Sequence, residues 1–193
     1  APLLCAGITT YSPLKYAGVG KGHKVAVLGL GGLGHMGVKF AVSMGAEVTM
    51  LSTSPSKEND AKMLGAHHFA LSTDKDQMKA LRGQFDFILN TVAAKYDLNK
   101  FLDLLTVEGK MLLVGIPPED NELGSAKLIS RRRSIIGSNV GGIAETQEML
   151  DYCAEHNILS DVEMIQMKDI NEAYTRISNS DVKYRFVIDM ASM

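Results

Sequence analysis

Three glycines spaced for close contact with a phosphate are the residues of clearest chemical meaning in this sequence. Gly29, Gly31 and Gly34 form a Gly-x-Gly-x-x-Gly motif at the end of the apolar run Lys24–Leu30. In such a turn the first glycine permits a tight change of direction, the second lets the backbone approach a pyrophosphate, and the third lets the next helix pack against the sheet. The helix that follows offers unpaired N–H groups to the phosphates. The spacing predicts a dinucleotide-binding turn.

The segments around these glycines complete a β-α-β unit. A helical pattern covers Gly32–Met44, and a second apolar run, Glu47–Leu51, follows the Gly45-Ala46 turn. Because a lone glycine motif is a weak signal, the strand before it and the helix and strand after it are what support the prediction.

The end of the second strand indicates which dinucleotide is bound. An NAD site usually carries an acidic residue about 20 residues beyond the glycines, where it accepts hydrogen bonds from the ribose 2′-hydroxyl. Here that place holds Ser52, followed by Thr53 and Lys57, with no carboxylate before Glu58. Hydroxyl donors and an ammonium group suit a 2′-phosphate, which favours NADP(H) over NAD(H). The alternative is that Ser52–Ser56 only caps the next helix, since Ser and Thr cap well.

Strands and helices alternate along the first two thirds of the chain. Apolar runs of strand length lie at Lys24–Leu30, Glu47–Leu51, His68–Leu71, Phe85–Leu89, Lys110–Val114 and Ser134–Ser138. Helical patterns lie at Gly32–Met44, Ser56–Leu64, Asp74–Leu81 and Tyr96–Leu105. This alternation predicts an α/β protein with a doubly wound parallel sheet of six strands, a Rossmann fold in the order 3-2-1-4-5-6. Further elements are expected at Ala144–His156, Glu163–Met167, Ile170–Ile177 and Arg185–Asp189.

Composition limits the partners and the compartment. The chain has 193 residues, 46% of them hydrophobic, and a formal net charge of −2. We therefore expect one sizeable core, no nucleic-acid partner and no membrane partner. The basic run Arg131–Arg133 is interpreted as a solvated entrance to a strand. Two widely separated cysteines make no disulfide framework, which suits the cytoplasm.

The chain resembles the C-terminal half of zinc-dependent medium-chain alcohol dehydrogenases, in particular the cinnamyl alcohol dehydrogenase-like branch. The matching strings are APLLCAGITTYSPL (1–14), GLGGLGH (29–35), STSPSK (52–57), ETQEML (145–150) and YRFVIDM (184–190). The resemblance implies NADP(H) and zinc as cofactors and a small-molecule alcohol or aldehyde as substrate. It also implies a homodimer joined through the edge strand near Ser134–Ser138.

The resemblance gives two residues catalytic roles. Cys5 matches a ligand of the catalytic zinc, and Thr9 matches the position that faces the nicotinamide ring. Three protein ligands and an open position would let the metal polarise an aldehyde or acidify a bound alcohol. Without the resemblance, Cys5 would be interpreted as a buried apolar cysteine, because a lone cysteine is not a metal site.

The resemblance also gives roles to residues around the cofactor. The pyrophosphate turn comprises Gly29, Gly31, Gly32, Leu33 and Gly34. The 2′-phosphate site comprises Ser52, Thr53 and Lys57, and the edge of the adenosine site comprises Thr91 and Val92. Backbone groups of Ile116, Ser138 and Val140 match those that hold the carboxamide. His35, which follows the turn, is expected either to face the cofactor or to be a polar residue on the first helical turn.

The resemblance implies a division of the chain. Residues 1–20 would lead in from a catalytic domain, 21–142 would form the NADP-binding domain, and 143–193 would return toward the catalytic domain. The family's other zinc ligands, its proton-relay hydroxyl and its four-cysteine zinc site are not in these 193 residues. We therefore expect this chain to bind cofactor without turnover, as part of an enzyme that transfers hydride between NADPH and a primary or aryl-allylic aldehyde.

Two other classes remain as alternatives. A non-catalytic NADP(H)-binding sensor would share the glycine turn and the Ser52-Thr53-Lys57 site but would not need Cys5. An S-adenosylmethionine-dependent methyltransferase also uses a glycine-rich turn, but its ribose-binding acid at the end of the second strand is not found here.

Overall fold

The protein is described by a computed structural model that covers residues 1–193. Six strands form one parallel sheet in the order β3-β2-β1-β4-β5-β6, which confirms the predicted order. The strands are β1 (Lys24–Leu28), β2 (Glu47–Ser52), β3 (His68–Leu71), β4 (Phe85–Asn90), β5 (Leu105–Leu113) and β6 (Ser134–Gly137).

Seven helices cover the two faces of this sheet. On one face lie α1 (Ala6–Ala17), α2 (Gly34–Ser43), α3 (Glu58–Met63) and α7 (Ile143–Glu155), and on the other lie α4 (Lys75–Ala80), α5 (Leu98–Leu102) and α6 (Ser125–Ile129). The core is divided accordingly, because successive strand residues point to opposite faces. In β1, Val25 and Val27 belong to the first core, while Ala26 and Leu28 belong to the second.

The last part of the chain adds a small second sheet. Strands β7 (Val162–Gln166) and β8 (Arg185–Asp189) pair in parallel, with α8 (Ile170–Ser178) between them. The segment before β8 returns to the main sheet, because Tyr184 is buried in the core that contains α2. None of the helices is long and apolar enough to cross a membrane.

Two predicted elements have different bounds in the structure. The helix expected over Tyr96–Leu105 begins only at Leu98, because the Asp97 carboxylate accepts the backbone N–H of Asn99 at 3.0 Å and caps the helix there. The strand expected from Lys110 begins at Leu105. Helix α6 lies between the fifth and sixth strands, where the sequence analysis predicts no helix.

The interpretation of Arg131–Arg133 as a solvated run is wrong for one of its members. The side chain of Arg133 is only 3% exposed. Its Nη2 donates to the carbonyl of Leu105 at 2.6 Å, and its Nη1 donates to that of Lys127 at 3.2 Å. The guanidinium therefore joins the start of β5 to helix α6.

Candidate dinucleotide site

A cleft of about 1020 Å³ lies at the carboxyl ends of β1, β2 and β4. In open α/β sheets, ligands bind at this edge, where the strand order reverses. Nine of the residues singled out from the sequence line the cleft: Gly29, Gly31, Gly32, Leu33, Ser52, Thr53, Lys57, Thr91 and Val92. The structure therefore brings together the glycine turn, the loop after β2 and the loop after β4.

The glycine turn is held tightly to the neighbouring strands. Gly29 has a φ of 92° and donates its N–H to the carbonyl of Leu51 at 3.0 Å. The Thr91 hydroxyl donates to the carbonyl of Leu28 at 2.9 Å. A β-carbon on Gly34 would overlap the carbonyl oxygen of Gly29, whereas one on Gly31 would meet nothing within 4 Å. Gly34 is thus required by the turn itself, and Gly31 leaves open space.

Close packing of the helix on the sheet depends on a glycine that the sequence analysis did not identify. A β-carbon on Gly37, one turn into α2, would lie 2.6 Å from a methyl group of Leu89 in β4. The spacing Gly34-x-x-Gly37 was a signal for this contact, since residues three apart share a helix face.

The loop after β2 carries free polar groups toward the cleft. Ser52 is buried and its Oγ accepts the N–H of Ser54 at 3.2 Å, while the hydroxyls of Ser54 and Ser56 lie 2.8 Å apart. No side chain of this loop caps the short 3₁₀ turn 55–57 or helix α3. Lys57 lines the cleft and makes no ion pair. Helix capping therefore does not account for these residues.

Arg185, at the start of β8, is a site residue that the sequence analysis did not assign. Its side chain lines the cleft and lies against the glycine turn, because a β-carbon on Gly32 would be 2.5 Å from its Nε. That Nε is buried and has no hydrogen-bond partner. An unsatisfied buried donor costs about 1–3 kcal/mol, which makes this side chain a candidate ligand-binding group. The signal available in the sequence was the string YRFVIDM (184–190), which contains Arg185 and is one of the strings that resemble the alcohol dehydrogenase family.

His35 lies on the first turn of α2, which is one of the two expectations for it, and it does not line the cleft. It is fully buried, and its Nδ1 lies 3.2 Å from the carbonyl oxygen of Gly31 while its Nε2 lies 3.0 Å from the Ser160 hydroxyl. Its ring stacks on that of Tyr184 with centroids 4.8 Å apart. Burial lowers the pKa of His35 from 6.5 to about 4, so the ring is neutral at pH 7. The imidazole of His35 therefore contacts the glycine turn from the core side.

Five other predicted residues lie outside the cleft lining. Thr9 is buried in α1, and Cys5 immediately precedes that helix. Ile116 follows β5 and is 79% exposed, and Ser138 and Val140 follow β6. Because all six strands are parallel, these loops emerge at the same edge of the sheet as the cleft.

The chain does not by itself fit a zinc ion. Cys5 is exposed, and no group of three or more His, Cys, Asp or Glu side chains lies close enough to hold a metal. Nη2 of Arg185 lies 4.0 Å from its sulfur. His67 and His68 have different partners: Nδ1 of His67 accepts the N–H of Val48, and Nε2 of His68 lies 2.8 Å from the carboxylate of Glu47. A protein zinc site needs at least three ligands, so one thiolate does not suffice.

The fold and the cleft define a nucleotide-binding domain of the doubly wound α/β class. The family model described as "Zinc-binding dehydrogenase" matches residues 32–155, and the chain belongs to that family.

Curated relatives share about half their length with this chain. NADP-dependent alcohol dehydrogenase C of Mycobacterium bovis is 52% identical over 193 residues, which are 100% of this chain and 56% of the relative. Aldehyde reductase YahK of Escherichia coli is 56% identical over 190 residues, which are 98% of this chain and 54% of the relative.

Solved structures agree in fold over the same extent. A cinnamyl alcohol dehydrogenase from Sorghum bicolor superimposes with a TM-score of 0.96 at 45% identity, covering 98% of this chain and 54% of that protein. A Helicobacter pylori cinnamyl alcohol dehydrogenase complexed with NADP(H) gives a TM-score of 0.90 at 47% identity, covering 99% of this chain and 55% of that protein.

Proposed function

We propose that this chain is the NADP(H)-binding part of an oxidoreductase that transfers hydride between NADPH and a primary or aryl-allylic aldehyde or alcohol. The observation that carries the proposal is the cleft in which a glycine turn, a loop of hydroxyl groups with Lys57, and the partnerless Nε of Arg185 converge. The names of the relatives, an NADP-dependent alcohol dehydrogenase and an aldehyde reductase among them, support the reaction class.

The loop after β2 is the proposed site of the 2′-phosphate. Ser52, Thr53 and Lys57 line one end of the cleft, and no carboxylate lines that end. A phosphate dianion gains charge-assisted hydrogen bonds from such donors, whereas a carboxylate would repel it. Selection of NADP(H) over NAD(H) follows from this charge balance.

The pyrophosphate is proposed to lie beside the glycine turn and Arg185, which contact each other at one end of the cleft. The N-terminus of α2 opens on this space, and its unpaired N–H groups and helix dipole attract an anion. The guanidinium adds a full positive charge and a buried donor that lacks an acceptor. Both phosphates of a dinucleotide would satisfy that donor and the helix terminus together.

The nicotinamide end is proposed to extend toward Thr9 and the loops that hold Ile116, Ser138 and Val140. Gly141 in the second of these loops packs on α1, because a β-carbon there would lie 2.5 Å from a methyl group of Ile8. Bound NADPH supplies the hydride, and backbone groups of these loops would orient the ring that carries it. Ser138 is fixed for this task by its N–H bond to the Leu113 carbonyl at 2.9 Å.

Cys5 is proposed as one zinc ligand, with the remaining ligands supplied from outside these 193 residues. The chain spans about half the length of its curated relatives, which leaves room for them. On this proposal the chain alone binds cofactor without turnover. A non-catalytic NADP(H) sensor is the second candidate, since the cleft that carries the proposal is not lined by Cys5. Replacing Cys5 in a longer protein that includes this chain separates the two, because only the enzyme would lose zinc and turnover.

Three further features of the chain stay proposals. Strand β6 is one of the two edge strands of the main sheet, so two copies could join there as a homodimer with a continuous sheet. The two cysteines are unpaired, which suits the cytoplasm. The division into residues 1–20, 21–142 and 143–193 is also retained.

Parallel titrations with NADPH and NADH, followed by nicotinamide fluorescence, test the proposed function. The wild-type chain is expected to prefer NADPH, and Lys57→Ala to lose about tenfold or more in NADPH affinity with NADH unchanged, because one charge-assisted bond is removed. Lys62→Ala is the matched control, since Lys62 lies on the same loop-helix unit but pairs with Glu58. Equal affinity of the wild-type chain for both cofactors would overturn the 2′-phosphate site, and binding of neither would overturn cofactor binding by this chain.

A further inference from the structure

A single buried imidazole, that of His35, contacts both segments that form the proposed pyrophosphate site. Toward the turn, Nδ1 of His35 lies 3.2 Å from the carbonyl oxygen of Gly31. Toward the C-terminal segment, its ring stacks on Tyr184, the residue next to Arg185. His35 itself does not line the cleft, so it would act through these neighbours.

We infer that His35 is a positioning residue for the cofactor, one that fixes the Gly31-Gly32 peptide and the adjoining Arg185 side chain beside the pyrophosphate. This inference rests on the proposed binding of NADP(H). It concerns the arrangement of the two binding elements and assigns His35 no contact with the ligand.

The first step concerns the direction of one peptide. The carbonyl of Gly31 accepts both the backbone N–H of His35, at 3.1 Å, and its Nδ1–H. In a trans peptide the N–H points opposite to the carbonyl. Because the carbonyl is engaged on the buried side, the N–H of Gly32 in the same peptide is directed toward the cleft. Loss of the imidazole bond would leave this carbonyl held by the backbone N–H of residue 35 alone, which weakens the restraint on the direction of the peptide.

The second step concerns the segment that carries Arg185. The N–H of Tyr184 donates to the carbonyl of Asp161 at 3.1 Å, and the Ser160 hydroxyl lies 3.0 Å from Nε2 of His35. Lys39, one turn further along α2, donates to the carbonyl of Leu159 at 2.8 Å and pairs with the Asp161 carboxylate at 2.7 Å. Residues 159–161 thus connect α2 to the segment before β8, and the imidazole fills the junction.

The third step concerns the protonation state. With both ring nitrogens in use, the arrangement needs Nδ1–H as donor to Gly31 and Nε2 as acceptor from Ser160. A charged imidazole could not accept from the serine hydroxyl. The burial that lowers the pKa of His35 to about 4 keeps the neutral ring at working pH.

Three replacements of His35 separate its two hydrogen bonds from its volume. His35→Phe keeps the ring volume and the stacking but removes both bonds. His35→Asn places an amide N–H where Nδ1 lies, and His35→Gln places one nearer Nε2, so that only the asparagine can still bond to Gly31. Phe40→Leu is the control for general destabilisation, because Phe40 is buried on the same helix and does not line the cleft.

Binding of each variant to NADPH and to 2′-AMP is the test. The second ligand carries the adenosine and the 2′-phosphate but no pyrophosphate. We expect His35→Phe and His35→Gln to weaken NADPH binding about tenfold, as for the loss of one well-placed hydrogen bond, and to leave 2′-AMP binding unchanged. His35→Asn should stay within about threefold of the wild-type chain, and Phe40→Leu should lower Tm without changing either affinity.

The outcomes distinguish this inference from the proposed function. If the wild-type chain does not bind NADPH, the proposed function fails. If it binds and His35→Gln binds as well as His35→Asn, the positioning role is overturned. Equal weakening of NADPH and 2′-AMP would also overturn it, because a purely structural defect would affect the whole cleft. Should His35→Phe fail to fold, the asparagine and glutamine variants still decide.

Discussion

Arg185 and Gly32 contact each other in the lining of the cleft, although they lie far apart in the sequence. A β-carbon on Gly32 would stand 2.5 Å from Nε of Arg185, closer than non-bonded atoms approach. A glycine at position 32 is therefore required by the packing of Arg185 as well as by the turn. The lack of a side chain at Gly32 lets the Arg185 side chain, whose buried Nε has no hydrogen-bond partner, pack directly on the turn.

Two alanine substitutions in the same turn are expected to have different consequences. In Gly32→Ala the new methyl group displaces only the flexible end of Arg185, so the chain should fold while the guanidinium moves. We expect affinity for NADPH and NADH to fall alike, by about tenfold, because the pyrophosphate is common to both. In Gly34→Ala the methyl group meets the backbone carbonyl of Gly29, and the free energy of unfolding should fall by about 2 kcal/mol or more.

Urea unfolding and cofactor titration of both variants check this pair. Arg185→Gln provides a reference, since it removes the charge without adding volume to the turn. A Gly32→Ala chain with wild-type affinity for both cofactors would contradict the proposed contact of Arg185 with the pyrophosphate. A Gly34→Ala chain of unchanged stability would contradict the tight geometry of the turn.

Ser52→Asp is expected to reverse the cofactor preference. Ser52 is buried at the end of β2 and lines the cleft, so a carboxylate there would face the 2′ position of the ribose. Repulsion of a phosphate dianion at close range exceeds about 1.4 kcal/mol, so NADPH affinity should fall at least about tenfold. NADH affinity should rise, because a carboxylate accepts hydrogen bonds from the ribose hydroxyls. Ser52→Thr, which keeps the hydroxyl, is the control, and an unchanged preference in Ser52→Asp would place the 2′-phosphate elsewhere.

The sheet order and most of the cleft were predictable because their signals are local. Alternation of apolar runs with helical patterns predicted the order of the six strands, and the Gly29 turn with the Ser52 loop predicted two parts of the cleft. Both depend on neighbours in sequence. Carboxyl ends of parallel strands meet at one edge, so residues after successive strands come together without further information.

The contacts of Arg185, His35 and Arg133 could not be predicted from pattern alone. Arg185 reaches the turn only because β8 lies beside it, and no periodicity relates such distant segments. His35 is polar on the first turn of a helix, where exposure is usual, yet Tyr184 covers it. Arg133 is the last residue of a basic run, and such a run is usually interpreted as exposed to solvent. In each case a distant segment supplies the burial and the hydrogen-bond partner.

Arg133→Met is expected to destabilise the chain, in contrast to Arg132→Met. The guanidinium of Arg133 donates to carbonyls at the start of β5 and in α6, and its removal would leave buried acceptors unsatisfied. We expect a loss of about 2–4 kcal/mol in the free energy of unfolding. The side chain of Arg132 is 83% exposed and pairs with Glu108 at 3.4 Å, so its loss should change stability by less than about 0.5 kcal/mol. Equal effects in urea unfolding would contradict the structural role of Arg133.

The buried imidazole of His35 is expected to make stability depend on pH. Burial lowers its pKa from 6.5 to about 4, an effect that Lys39 and Arg185 reinforce and that the Gly31 carbonyl and Asp161 oppose. Between pH 6.5 and pH 4 the unfolded chain binds a proton that the native chain does not. The free energy of unfolding should therefore fall by about 3 kcal/mol as pH decreases through this range, and this contribution should be constant above pH 6.5 and below pH 4.

Comparison with His35→Asn isolates this contribution, because the amide does not titrate. Carboxylates such as Glu163, whose pKa is lowered mainly by the N–H of Lys183, also reduce stability in acid, but they do so equally in both proteins. Urea unfolding at pH 7.5, 5.5 and 4.5 should show the difference in stability between wild type and His35→Asn shrinking or reversing in favour of the variant as pH falls. A difference that stays constant over this range would mean that the native imidazole accepts a proton as readily as the unfolded one, and would contradict its burial as a neutral group beneath the glycine turn.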